Sequence, residues 1–198
     1  MIKVYNFEGK TEEECRMNCY EQLDVYENEI LSNIYEEDEL FKIQVVKKSD
    51  IKDFINNYLK EVTDKMGLKT KINVTEEDEI FKVKMSSNNN PILIGKEGRT
   101  LTSLQNLLRQ TIRNNIKMNI KVNLDASNYK AKQEKNFEYE VKQIINEVMN
   151  SKTETKLDSM NSYKRRIVHT IASNYYNIET ESFGEEPNRY TIIRYVEK

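Results

Sequence analysis

The sequence predicts an α+β fold built from three small modules: a β-α-β-β unit over residues 1–48, an α-β-β-α-α-β unit over 49–126 and a further α+β unit over 127–198. Two observations carry that expectation. The apolar period switches repeatedly between the 3.6 of a helix and the 2 of a strand. No repeat, low-complexity tract or Gly/Ser linker interrupts the chain, so the boundaries fall where the period changes. With 37% hydrophobic and 32% charged residues over 198 positions, the composition is that of a globular chain with room for compact domains of about 100 residues or fewer.

In the first module Ile2 to Phe7 reads as a strand that turns at Gly9-Lys10. Thr11 and Glu14 then have the spacing of a capping box, and Cys15, Cys19 and Leu23 recur one helical turn apart. That spacing makes the two thiols core residues rather than ligands. Strands over Glu29 to Tyr35 and Glu39 to Lys47 complete the unit.

Ser49 is the expected cap of the next helix, whose stripe runs from Ile51 through Phe54, Ile55, Tyr58, Leu59 and Val62 to Met66, with Gly67 as its stop. Ile72 and Val74, then Phe81, Val83 and Met85, alternate as a hairpin around the acidic turn Glu76 to Glu79. After the Asn88 to Pro91 break come Ile92-Leu93-Ile94 and Gly95-Lys96-Glu97-Gly98. A second helix follows on Leu101, Leu104, Leu107, Leu108, Thr111 and Ile112, and a closing strand on Met118, Ile120, Val122 and Leu124. The third module needs a long helix from Ser127 to Ser151, a shorter one from Ser159 to Asn174, and strands at Ile178 to Ser182 and Tyr190 to Tyr195 joined through Gly184 and Pro187.

Charge is unevenly spread. Residues 1–48 carry 6 Lys and Arg against 12 Asp and Glu, whereas the segment from Lys96 to Lys135 carries 9 against 3. A polyanion would find its complement in that second segment and not in the first. One His and two Cys exclude a His-rich metal centre, and no metal or cofactor is expected. No uncharged run approaches the roughly 18 residues of a membrane span, and the N-terminus lacks the apolar core of a signal peptide. The expected location is the cytoplasm, with both thiols reduced.

Two constellations carry chemistry. In Gly95-Lys96-Glu97-Gly98-Arg99, two glycines between helices let backbone approach a ligand closely, and the helix that starts there turns its N–H groups and positive dipole end outward. Lys96 and Arg99 add charge, while Ile92 and Ile94 offer apolar flank for unstacked bases. Arg109 and Arg113, with Lys117 beyond them, extend a basic stripe at four-residue spacing. The second constellation is Lys164-Arg165-Arg166-Ile167-Val168-His169. Arg165 and His169 stand one helical turn apart, which would present a cationic fork and an imidazole together to phosphate, with Arg166 beside them. A hydrolase would need a nucleophile or metal carboxylates near the His, and no motif supplies them, so no catalytic residue is expected.

The order of these motifs carries a family resemblance. The G-x-x-G between the central helices of an α-β-β-α-α-β unit resembles the type II KH domain, and Met160 to His169 followed by Thr180 to Arg189 resembles an Arg-x-x-x-His nucleic-acid-binding domain. Together they are similar to the bacterial Jag (SpoIIIJ-associated, KhpB) family, with an N-terminal Jag domain, a KH domain and an Arg-x-x-x-His domain. The resemblance implies a non-enzymatic, cytoplasmic binder of single-stranded RNA, with single-stranded DNA as a further ligand of the last domain. It also implies a small KH-only partner protein and a link to cell elongation; monomer and homo-oligomer both stay open. The competing expectation is a protein-interaction adaptor near a membrane insertase, with incidental RNA binding. The chain departs from the family in the first domain, where Glu36 to Phe41 replaces a Lys-Lys-Gly-Phe-type motif, and at Lys164, where Glu is usual.

Overall fold

The computed structural model describes residues 1–197, which form two compact units, 1–129 and 130 onward. The first unit holds two three-stranded sheets. In the first of these, β1 (Tyr5–Gly9), β2 (Ile30–Glu37) and β3 (Leu40–Lys47) are antiparallel in the order β1-β3-β2. Helix α1 (Glu12–Leu23) packs against it, and Cys15 and Cys19 are fully buried with Ile43 and Val45. The capping box forms in half. Thr11 accepts the Glu14 N–H at 3.1 Å, but the Glu14 carboxylate takes the N–H of Lys10 instead of that of Thr11.

In the second sheet, β4 (Thr70–Glu77) and β5 (Ile80–Ser87) are antiparallel, and β6 (Lys121–Ala126) runs parallel to β5. Helices α2 (Lys48–Lys65), α3 (Asn90–Ile94) and α4 (Arg99–Ile116) complete the order α-β-β-α-α-β. Ile51, Ile55 and Leu59 of α2 meet Leu104, Leu108 and Ile112 of α4 over Phe81, Val83, Val122 and Leu124. Each buried side chain of that size contributes about 1.5–3 kcal/mol.

Several sequence expectations shift. Helix α2 starts at Lys48 with Lys47 at its cap and no side-chain capping bond, so Ser49 lies inside the helix. Gly67 does follow its end, at φ +74°. Leu107, assigned to the apolar stripe of α4, is 50% exposed, and Met118 precedes the closing strand. The boundary expected at residue 48 is not a break in packing: Ile2 and Val46 are buried in the same core as α2 and α4, and Lys48 pairs with Glu76 at 3.0 Å with both side chains largely buried.

The second unit contains most of α5 (Tyr129–Ser151), α6 (Ser162–Ala172), and a sheet in the order β7-β9-β8 from β7 (Thr155–Lys156), β8 (Ile178–Phe183) and β9 (Tyr190–Tyr195). Val141, Ile145 and Val148 pack with Val168, Ile178 and Ile193. Helix α6 starts three residues later than expected because Asn161 caps it, accepting the Lys164 N–H at 3.0 Å. The two-residue β7 is too short to leave a periodic trace. No described helix is long and apolar enough to cross a membrane, and no described group of three or more His, Cys, Asp or Glu gathers where a metal could sit.

Burial pushes the thiols of Cys15 and Cys19 above their ordinary range, so both are poor nucleophiles as well as inaccessible. In the native protein a disulfide reagent is therefore expected to titrate neither thiol on the timescale of minutes, and both in denaturant; rapid native labelling would contradict the packing of α1.

Candidate nucleic-acid interface

The turn between α3 and α4 is shaped by crowding around its two glycines. Gly95 has φ +75° and ψ 176°, a conformation open essentially to glycine alone, and a Cβ there would fall 2.8 Å from Thr100 Cβ. Gly98, at φ +77°, lies beneath Tyr129, whose Cε1 would be 2.8 Å from an added Cβ. Glu97, between them, is also left-handed at φ 55°. The backbone therefore reverses within four residues, held by Gly95 N–H to Pro91 O at 2.8 Å and Gly98 N–H to Gly95 O at 3.2 Å.

This turn leaves charge at the surface. Lys96, Glu97 and Arg99 are exposed, with Arg99 and Glu97 in a loose pair at 3.4 Å. Surface pairs of that kind contribute about 0–1 kcal/mol, so a phosphate competes readily for Arg99. No side chain caps α4 and its first turn contains no acid, which leaves the positive end of an 18-residue helix facing the turn. Ile92 is 51% exposed at the turn's flank, while Ile94 is half-buried against the core. Burial, aided by the nearby Glu97 carboxylate, pushes the Tyr129 phenol up.

The stripe along α4 is less uniform than its spacing. Arg109 donates from Nε at 3.0 Å and from Nη2 at 2.5 Å to the carbonyl of Val122, so its guanidinium ties α4 to β6. Arg113 is exposed on the same helix, and Lys117 lies beyond the helix end in a left-handed cap. Arg109 and Arg113 still border one recess of about 590 Å³ with Asn119 and Lys121.

In the second unit the expected solvent-facing fork is not what forms. Arg165 is only 7% exposed; its Nη1 donates to Met160 O at 2.7 Å and to Glu186 Oε1 at 2.8 Å. The cause is the β8–β9 hairpin, which brings Glu186 over the start of α6. His169 is half-buried, its Nδ1 at 2.7 Å from Thr180 Oγ1 and its Nε2 at 2.9 Å from Ser182 Oγ, which in turn meets Thr191 Oγ1 at 3.0 Å. Burial first and the Arg165 charge second hold the imidazole below its ordinary range. Arg166 faces outward, and Lys164 lies 4.9 Å above the Phe137 ring.

Sequence reading missed Glu186, treated as a hairpin residue, and the hydroxyls that grip His169. The alternation Ile178, Thr180, Ser182 puts both hydroxyls on the strand face of an apolar residue, a trace that was present but had no partner until α6 was placed over it.

The crowding makes Gly98→Ala costly, with an expected loss of about 1–3 kcal/mol in denaturant unfolding; an unchanged midpoint would contradict the packing of Tyr129. For His169, a folded pKa below about 6.5 means that the unfolded chain binds the proton more readily. Its contribution to stability is then full above that pH and declines as pH falls through the folded value. The stability difference between wild type and His169→Gln should therefore shrink below about pH 6.5, and since the chain has one His, no other imidazole contributes. A difference that is flat or grows on acidification would refute this environment.

Comparison with known proteins covers both regions. A model of the KH domain of KhpA and KhpB matches residues 52–124, and a model of the Arg-x-x-x-His domain matches residues 137–195. The chain is 34% identical over 153 residues to RNA-binding protein KhpB of Clostridium symbiosum, spanning 76% of this chain and 69% of the relative. It is 27% identical over the same number of residues to RNA-binding protein KhpB of Bacillus subtilis, spanning 76% and 74%. At 22% identity it also resembles RNA-binding protein KhpB of Streptococcus pneumoniae, of which it covers 42%. With both domains matched in order, the chain belongs to the KhpB (Jag) family.

Proposed function

We propose that the protein is a non-catalytic binder of single-stranded RNA that holds the sugar-phosphate backbone at the Gly95 to Arg99 turn. The observation that carries this reading is the uncapped start of α4, approached through two glycines and flanked by exposed Lys96 and Arg99. Backbone N–H groups and two mobile cations suit phosphate oxygens, and Ile92 offers an apolar edge to an unstacked base. Its relatives' names and both matched domains support the same ligand class.

The segment over 49–126 is then the main RNA-reading module, and 127–198 adds a second site. At that second site phosphate meets Arg165 only in competition with Glu186, so exposed Arg166 and the His169 edge make the first contact. The second site is accordingly the weaker of the two, and linking it to the first raises avidity without new contacts. Single-stranded DNA fits this second site on the same chemistry. The cytoplasmic setting, the small KH-only partner and the tie to cell elongation follow from the family resemblance.

The adaptor reading has one observation in its favour: the β2–β3 hairpin tip exposes Glu36 to Glu39, a surface that repels nucleic acid and suits a basic protein. Deleting the first module would strip Ile2 and Val46 from the shared core, so charge substitution at the tip is the cleaner way to probe it.

The central test is binding of a mixed single-stranded RNA pool at several salt concentrations. The Lys96→Asp/Glu97→Asp variant is expected to lose about tenfold or more in affinity, and wild type to weaken steeply with salt. Equal binding by the two proteins would leave the turn as scaffold and favour the adaptor.

A further inference from the structure

The β4-β5-β6 sheet is covered on one side only. Its inward residues meet α2 and α4, and the residues between them face solvent: on β4 these are Lys71, Asn73 and Thr75, all exposed. On the same outer face stand Lys82 and Lys84 of β5 and Lys121 of β6. The register places these lysines in one diagonal band. Lys71 opposes Ser86, two residues from Lys84; Lys82 follows along β5; Lys121 opposes Ile80, two residues from Lys82. Diagonal and i, i+2 neighbours in a sheet are about 7 Å apart, so the band spans about 20 Å.

This arrangement opposes the fold's own interest. Like charges adjacent on a sheet face repel, and Lys71, Lys84 and Lys121 pair with no carboxylate among the described residues; only Lys82 is paired, to Glu77. The strands carry four lysines on this face against two carboxylates, Glu77 and Asp125. Protection of an open sheet edge does not account for it, because Lys82 and Lys84 are on the central strand. Among them stand Asn73, Thr75 and Asn123, polar side chains that hydrogen-bond phosphate oxygens. No aromatic ring accompanies them, and the apolar side chains of the sheet point the other way save half-buried Ile80.

We propose that this lysine band is a second RNA-contacting surface of the first unit, taking the phosphodiester backbone of a strand that runs on beyond the stretch held at the Gly95 to Arg99 turn. It rests on the RNA-binding reading above. With charge and amides but no stacking group, it adds length-dependent and sequence-independent affinity.

The test compares wild type, Lys71→Gln/Lys84→Gln/Lys121→Gln and Lys96→Asp/Glu97→Asp on single-stranded RNAs of about 6 and about 25 nucleotides, chosen to be shorter and longer than one module's site. The triple variant is expected to match wild type on the short RNA and to lose about tenfold on the long one. Its salt slope on the long RNA should fall by about 2, from about 0.7 per phosphate contact. A triple variant with wild-type affinity and slope on long RNA, while the turn variant is impaired, would overturn the band and leave the turn standing. Failure of wild type to bind either RNA would overturn the RNA reading itself, and the band with it. All three lysines are exposed, so an unchanged thermal midpoint is expected and separates binding from folding.

Discussion

One-sided burial of the β4-β5-β6 sheet is the constraint from which the rest of the first unit follows. Three strands have a single apolar face, and only α2 and α4 are long enough to cover it. To return over that face after β5, the chain must reverse between α3 and α4 within a few residues. That reversal is the Gly95 to Gly98 turn, and it is tight enough that Thr100 and Tyr129 fill the space a side chain would need. The feature that makes the turn available to a ligand is thus the feature that lets the helices reach the core. Glycine is required there by packing as much as by any ligand's approach.

The same constraint fixes what α4 can offer. Its buried stripe of Leu101, Leu104, Leu108, Ile112 and Ile116 sets the helix rotation, and the rotation brings Arg109 against the carbonyl of Val122. Arg113, one turn further on, stays exposed. Two arginines at i, i+4 spacing therefore differ in work: one spends its donors on the backbone, the other keeps them for solvent.

Period and punctuation made most of the fold legible in the sequence. The stripes of α2 and α4, the β4–β5 hairpin and the β8–β9 hairpin are local patterns, and they lie where alternation and glycine put them, within a few residues. Helix starts were less legible, because capping depends on which side chain reaches the first turn: Asn161 did so and Ser49 did not. The turn at Gly95 to Arg99 was readable for the same local reason. The surroundings of Arg165 were not, since Glu186 and Met160 come to it through tertiary packing that no spacing along α6 records. Charge at a given residue was legible; whether that charge is already neutralised was not. The joint core of the first two modules was hidden likewise, because Ile2 and Val46 look like ordinary strand residues until β3 is laid against α2.

The grip on His169 has a consequence for how protons are ordered in the second unit. A neutral imidazole has one N–H and one bare nitrogen, so Thr180 and Ser182 cannot both donate to it or both accept from it. If the proton is on Nε2, Ser182 accepts it and its own hydroxyl is turned toward Thr191; if on Nδ1, Ser182 donates to the ring and Thr191 points back. A doubly protonated ring enforces the first orientation. The row of hydroxyls therefore has a polarity with two senses, and the charge on one surface-reaching ring selects the direction of an O–H dipole on Thr191, which is fully buried in the middle of the sheet.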